Sequence, residues 1–238
     1  MPVGRPAPDG DALDSDALRA YAALLATYEL ANVTGARGSP EGVAELVGDA
    51  LALLEVDELV SAATSADGGL WADLGSGGGL PGIPLALVLP GIRLTLIEAV
   101  GKKCSFLREA AARVGLDERI EVACARSEEL AAVGRPGRGR FAVVLAKAVG
   151  PLAVVVELAS PLLGAGGLLV VSKTAAAAQR EAPAGEAAGA ACGLARGRTV
   201  ALTRSPLPGS VGVVFKKVAP TPQRFPRRPG MAAKRPLA

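Results

Sequence analysis

The chain has 238 residues, half of them apolar, a formal charge of +3 and no histidine. Such length and apolar content supply one large leucine-, valine- and alanine-rich core and exclude chain-wide disorder. The missing histidine excludes imidazole acid–base catalysis, histidine triads and histidine metal ligands, and three scattered cysteines exclude a four-cysteine zinc site.

No metal is therefore expected, and an odd, sparse cysteine set (Cys104, Cys124, Cys192) points to a reducing compartment. Cys104 and Cys124 read as small core residues. The first ten residues lack an apolar leader core, and no apolar run approaches the ~20 residues of a membrane helix. The expectation is a cytoplasmic, monomeric protein with no membrane partner.

Residues 1–13 are expected to be disordered and 14–60 to form an N-terminal helical cap. Asp14-Ser15-Asp16 offers a cap, after which Leu18, Tyr21, Ala22 and Leu25 recur at helical spacing. Asn32 to Gly38 breaks the pattern; Ser39-Pro40 restarts it, with Val43, Leu46, Val47, Ala50, Leu51 and Leu54 on one face. That face needs a partner, most simply the next domain. Residues 62–69 read as the connecting loop.

From 61 to 218 strands and helices alternate. Strands are expected at 70–75, 93–98, 119–124, 141–146, 167–172, 199–203 and 212–218. Helices fall at 82–89, 102–114, 127–133, 151–163 and 174–191, the last weakened by Pro183, Gly185 and Gly189. The final two strands make a hairpin around Pro206-Leu207-Pro208-Gly209. This pattern predicts an α/β, Rossmann-like domain with a mostly parallel seven-stranded sheet covered on both faces. Residues 219–238 form a basic arm: from Lys216 onward there are seven basic residues and no acid, so the rest of the chain is acidic on balance.

The chemistry concentrates after the first strand, in Asp73-Leu74-Gly75-Ser76-Gly77-Gly78-Gly79-Leu80-Pro81-Gly82. Glycines permit a tight turn and close ligand approach, and a helix start behind them offers donors. Such a turn alone fits nicotinamide, flavin or S-adenosylmethionine. Asp73 suits a cationic ligand better than a pyrophosphate, Glu98 ends the next strand where an acid accepts ribose hydroxyls, and Ala125-Arg126-Ser127-Glu128 lies where an adenine would sit. Together these favour S-adenosylmethionine. After the fourth strand, Leu145 to Pro151 carries neither a cysteine nucleophile nor the Asn/Asp-Pro-Pro-aromatic run of amine methylation. A ring nitrogen with a free lone pair needs only alignment.

The run Asp73 to Pro84, then Leu96-Ile-Glu-Ala-Val-Gly-Lys-Lys103 with Phe106-Leu107, closely resembles the bacterial 16S ribosomal RNA guanine-N7 methyltransferases (RsmG, also called GidB). Asn32-Val33-Thr34, Ala125-Arg-Ser-Glu-Glu129 and Lys217-Val-Ala-Pro-Thr-Pro222 fit the same pattern. So do Phe225-Pro-Arg-Arg-Pro-Gly230 and Lys234-Arg-Pro-Leu237, so the resemblance spans about 18–237. It implies a class I methyltransferase that methylates a guanine N7 in 16S ribosomal RNA or the small-subunit particle. It also implies that Gly75 and Leu80 touch the cofactor, that Ser127 and Glu128 flank the adenine, and that Lys147 lies beside the methionine moiety or acceptor as the catalytic candidate. Ser76 and Gly77 join the cofactor-binding set with Asp73 and Glu98.

The chain departs from the family at three places: Lys147 replaces a usual arginine, Leu46-Val-Gly-Asp49-Ala50-Leu51 replaces His-x-x-Asp-Ser-Leu, and Glu98 stands where aspartate is commoner. It reads as a divergent member. A small-molecule methyltransferase and a non-catalytic RNA- or ribosome-binding relative are the alternatives. Arg224, Arg227, Arg228, Lys234 and Arg235 are the expected RNA contacts, with Phe225 stacking on a base. Five such phosphate contacts to single-stranded RNA give a log–log salt slope of about −3.5. Arg135, Arg138 and Arg140 are further RNA candidates, and Lys102 and Lys103 read as a solvated face.

Overall fold

The computed structural model describes residues 15–29, 39–65, 69–195 and 197–237. The expected disorder of 1–13 and the Asn32-Val33-Thr34 motif lie outside the described residues. The N-terminal region opens with α1 (Asp16–Thr27) and α2 (Pro40–Ala52). Ser15 and Ser39 cap them by accepting from Leu18 N and Gly42 N at 3.3 and 3.0 Å, and Pro40 takes the first-turn position that needs no amide donor. A 3-10 turn (Leu53–Glu55) and α3 (Asp57–Ala63) follow. The sequence reading left α3 out: with only seven residues it shows little periodicity, and it runs past the expected boundary at 60.

The sheet is then built from β1 (Leu70–Leu74), β2 (Arg93–Glu98), β3 (Ile120–Cys124), β4 (Phe141–Lys147), β5 (Leu163–Thr174), β6 (Arg198–Ala201) and β7 (Ser210–Lys216). The strand order is β3-β2-β1-β4-β5-β7-β6, with β1 to β5 parallel and β6 and β7 added antiparallel. This is the expected doubly wound, Rossmann-like α/β sheet. Strand β1, Leu-Trp-Ala-Asp-Leu, lies inside the sheet and is buried on both faces, which explains its lack of alternation. The chain leaves β1 in one direction for β2 and β3 and returns to its other side with β4. Ligands bind at that reversal, outside the carboxyl ends of the strands.

Two apolar layers enclose the sheet. One joins Leu18, Tyr21, Leu25 and Val43 of the cap to Ile83 and Leu85 of α4 (Gly82–Val88) and Phe106 and Leu107 of α5 (Gly101–Arg113). The cap therefore buries its apolar face on the sheet domain, as its amphipathic pattern requires. The other layer unites Leu152, Val155 and Val156 of α7 (Leu152–Ala159), Ala188 of α8 (Ala175–Cys192) and Phe225 of the arm. Between them α6 (Ser127–Leu130) is shorter than expected, and α9 (Met231–Lys234) closes the chain.

The glycines that weakened the expectation for α8 are contact points. A Cβ on Gly185 would lie 2.8 Å from Leu152 Cβ, so the bare backbone is what lets α8 rest on α7. The helix is continuous from Ala175 to Cys192 although Pro183 lies inside it. The cysteines also differ from expectation. Cys104, in the first turn of α5, and Cys124, at the end of β3, form a disulfide with a Cα–Cα separation of 5.9 Å, while Cys192 is free and buried. Both meet at Glu98, whose register partner on β3 is Cys124 and whose carbonyl contacts Cys104 Sγ. No helix among the described residues is long and apolar enough to cross a membrane.

Candidate active site

The glycine turn leaves β1 at the reversal point and is held from three sides. Gly75 N and Ser76 N both donate to Ile97 O on β2, and Ser76 Oγ donates to Asp73 O at 2.8 Å. Gly77 N donates to Glu98 Oε2 at 3.0 Å, and Val100 N donates to Glu98 Oε1 at 2.9 Å. From the cap, Tyr21 Oη donates to Gly78 O at 2.6 Å. Burial, followed by the neighbouring Asp73 charge, raises the Tyr21 phenol well above its usual range, so it stays a neutral donor. Gly75 has φ +66° and Gly79 φ +87°, conformations that strain any side chain. The Leu80–Pro81 peptide is cis.

Asp73 is fully buried beneath the turn, and its Oδ2 accepts from Gly82 N at 3.1 Å, the first residue of α4. Among the described residues its Oδ1 has no hydrogen-bond partner. Burial above all, with the Glu98 charge adding to it and the Gly82 bond opposing, lifts the Asp73 carboxyl to about 7. Gly82 fits this arrangement tightly: an added Cβ would stand 2.8 Å from Asp73 Oδ2 and 2.9 Å from Leu94. Gly82→Ala is expected to lower the thermal midpoint by roughly 2–12 °C through overpacking of about 1–3 kcal/mol, measurable by calorimetry. An unchanged midpoint would show that α4 shifts freely.

A cavity of about 240 Å³ opens beside the turn. Of the sequence-predicted residues it brings together Gly75, Glu98, Ser127 and Glu128, with Val149 following β4. Asp73, Ser76, Gly77 and Leu80 do not line it; they lie under or within the turn that forms its edge. The residues fit S-adenosylmethionine. Glu98 is the acid at the end of β2, Ser127 and Glu128 line the side beyond β3, and the buried Asp73 beneath the turn gives the site a carboxylate whose charge a cationic ligand favours and a pyrophosphate opposes.

Lys147 ends β4, whose register sets Ala146 opposite Leu74, so Lys147 stands level with the start of the turn. Its side chain reaches away from the cavity to the cap, where Nζ forms an ion pair with Asp49 Oδ2 on α2. Asp49 is 1% exposed and also accepts from Ser205 Oγ at 2.7 Å and from Ser210 Oγ. Burial would raise its carboxyl, but the Lys147, Ser210 and Ser205 bonds prevail and hold it below the usual 3.8. Sequence reasoning quoted Asp49 only as part of a family segment. The available signal was an acid among Leu46, Val47, Ala50 and Leu51, on a helix face that must be buried.

The arm is folded onto the body, which corrects two expectations. Arg227 is committed to Glu157 of α7: its backbone N and Nε donate to Oε1 at 3.2 and 2.8 Å and its Nη2 to Oε2 at 2.5 Å. Glu157 is 1% exposed, and a buried carboxylate needs this bidentate cation, so Arg227 is not an open RNA contact. Phe225 is buried in the core beyond β4 and is not available to stack on a base. Arg138 likewise donates to the carbonyls of Phe225, Thr221 and Ala131 at 2.7–3.0 Å, pinning the arm. Arg224, Arg228, Lys234 and Arg235 remain exposed.

Residues 14–204 match a family model described as GidB, rRNA small subunit methyltransferase G. The ribosomal RNA small subunit methyltransferase G of Rubrobacter xylanophilus is 40% identical over 224 residues, covering 92% of this chain and 82% of that protein. That of Pelotomaculum thermopropionicum is 34% identical over 223 residues, covering 91% of this chain and 87% of the relative. Among solved structures, a geranyl diphosphate methyltransferase superposes with a TM-score of 0.52 at 17% identity, covering 71% of this chain and 77% of that one. A Galdieria sulphuraria protein named as a candidate sarcosine dimethylglycine methyltransferase does so with a TM-score of 0.51 at 12% identity, covering 71% and 84%. Likeness at that identity speaks for the fold alone.

Proposed function

The chain belongs to the GidB family of small-subunit rRNA methyltransferases, and from that premise we propose that it methylates N7 of a guanine in 16S ribosomal RNA with S-adenosylmethionine as methyl donor. The observation that carries this reading is the match to an rRNA methyltransferase G over 92% of the chain, together with a cavity at the carboxyl ends of β1, β2 and β3.

S-adenosylmethionine, when bound, supplies an electrophilic methyl group to the guanine lone pair. N7 carries no proton, so the chain needs no general base, and a protein without histidine is equal to the task. Its own residues bind and orient. Glu98 accepts from the ribose while its other contacts hold the turn, Ser127 and Glu128 border the adenine, and Asp73, buried beneath the turn, contributes a negative charge from behind it when ionised. Lys147 ends β4 next to the turn, and its ammonium, paired with Asp49 on α2, holds the cap against that strand end.

The test is to map N7-methylguanine in ribosomal RNA from cells with and without the gene. One guanine is expected to lose its methyl group on deletion and regain it on complementation; an unchanged map rejects the function. RNA affinity gives a second readout. With Arg227 withdrawn, four exposed arm cations predict a log–log salt slope of about −2.8, distinguishable from about −3.5 for five. A flat response would sink the arm as an RNA contact and leave the cofactor reading standing.

A further inference from the structure

The cavity beside Glu98 has a second wall, and it is not part of the sheet domain. Gly230, Ala232 and Ala233, from the arm and its terminal helix α9, line the side facing Ser127 and Glu128. Gly230 N donates to Glu128 Oε1 at 2.9 Å while Ser127 Oγ donates to Oε2 at 3.2 Å, so the Glu128 carboxylate is held from both sides. Ala232 is 3% exposed. The strap that delivers them is fastened by Arg227 on Glu157 and by Arg227 Nη2 on the carbonyl of Arg235, which ties the segment before α9 to the residue just after it. The same strap carries Arg224, Arg228, Lys234 and Arg235 exposed to solvent.

We propose that the C-terminal arm is the closing wall of the cofactor pocket, with Gly230 as a positioning residue for Glu128. This rests on the cofactor reading of the pocket. The physical reason is that the arm is already fastened to the body by Arg138, Arg227 and Phe225, so a ligand beside Glu128 meets Gly230, Ala232 and Ala233 in place, with no chain left to order on binding. The Gly230 N–H fixes the Glu128 carboxylate that borders the ligand.

The test uses the full chain and calorimetric titration with S-adenosylhomocysteine. Ala233→Phe places a large side chain at an exposed position on the cavity wall and is expected to weaken binding about tenfold, with the ligand-free thermal midpoint unchanged. Bound S-adenosylhomocysteine is also expected to slow tryptic cleavage after Lys234. Unaltered affinity in Ala233→Phe overturns the proposal. A natural chain that does not bind S-adenosylhomocysteine at all instead overturns the cofactor reading itself.

Discussion

Asp49→Ala is expected to lower the thermal midpoint by roughly 6–20 °C and to remove most turnover, the largest effect of any single change in the cap. Asp49 is buried at a distance in sequence from everything it holds: Lys147 on β4, and Ser205 and Ser210 at the β6–β7 hairpin. The Lys147 side chain is itself only 14% exposed, so losing the carboxylate strands a buried ammonium. Breaking such a pair on one side costs about 3–5 kcal/mol, and a domain of this size loses about 2–4 °C per kcal/mol. The double change Asp49→Ala with Lys147→Met removes both charges and is expected to recover most of the stability but none of the turnover. That split separates the chemical use of Lys147 from its structural pairing. A midpoint within 2 °C of the natural chain for Asp49→Ala would refute the buried-pair account. The pH dependence has a definite sign. The folded Asp49 carboxyl lies below its ordinary 3.8, so its contribution is present above about pH 4 and is lost as pH falls through the lower folded value.

Asp73 carries the opposite sign and the second large effect. Its carboxyl is raised from 3.8 to about 7, so the folded chain holds a proton there that the unfolded chain releases. Stability therefore falls as pH rises between those values, by an amount of order 4 kcal/mol at 1.36 kcal/mol per unit. Asp73→Asn is expected to abolish that slope and to make the ligand-free protein more stable at pH 8, measured by denaturant melts across pH. Cofactor binding runs the other way. A cationic ligand favours the ionised carboxylate, so affinity for S-adenosylmethionine is expected to weaken below pH 7 by up to about tenfold per unit. The asparagine variant should bind weakly at every pH. Equal pH profiles for the two proteins would exclude Asp73 as the titrating group.

Much of this molecule was legible in local pattern. The strands from β1 to β5, the two serine caps and the helical cap all follow from short-range propensity, periodicity and turn chemistry, which neighbours a few residues apart decide. The glycine turn was legible for the same reason: its backbone conformations at Gly75 and Gly79 restrict those positions to residues without a Cβ. Acids at 73 and 98 then pointed to a cationic, ribose-bearing ligand because strand ends converge on one crevice.

Charges were another matter. Composition located a basic tail but could not say that Arg227 would be spent on Glu157, or that Arg138 would be spent on the arm's carbonyls. Phe225 read as a stacking ring and became core. Pro183, Gly185 and Gly189 read as helix breakers, yet α8 runs through them, and Gly185 leaves open the space that Leu152 of α7 takes up. The sequence alone therefore determined the sheet, the cap and the cofactor turn, since each is specified within a few residues along the chain. Only the tertiary structure decided which cations are free, which acid holds Lys147, that Cys104 meets Cys124, and that the arm walls the pocket. A buried charge takes whatever partner the fold brings within reach, and sequence spacing does not encode that reach.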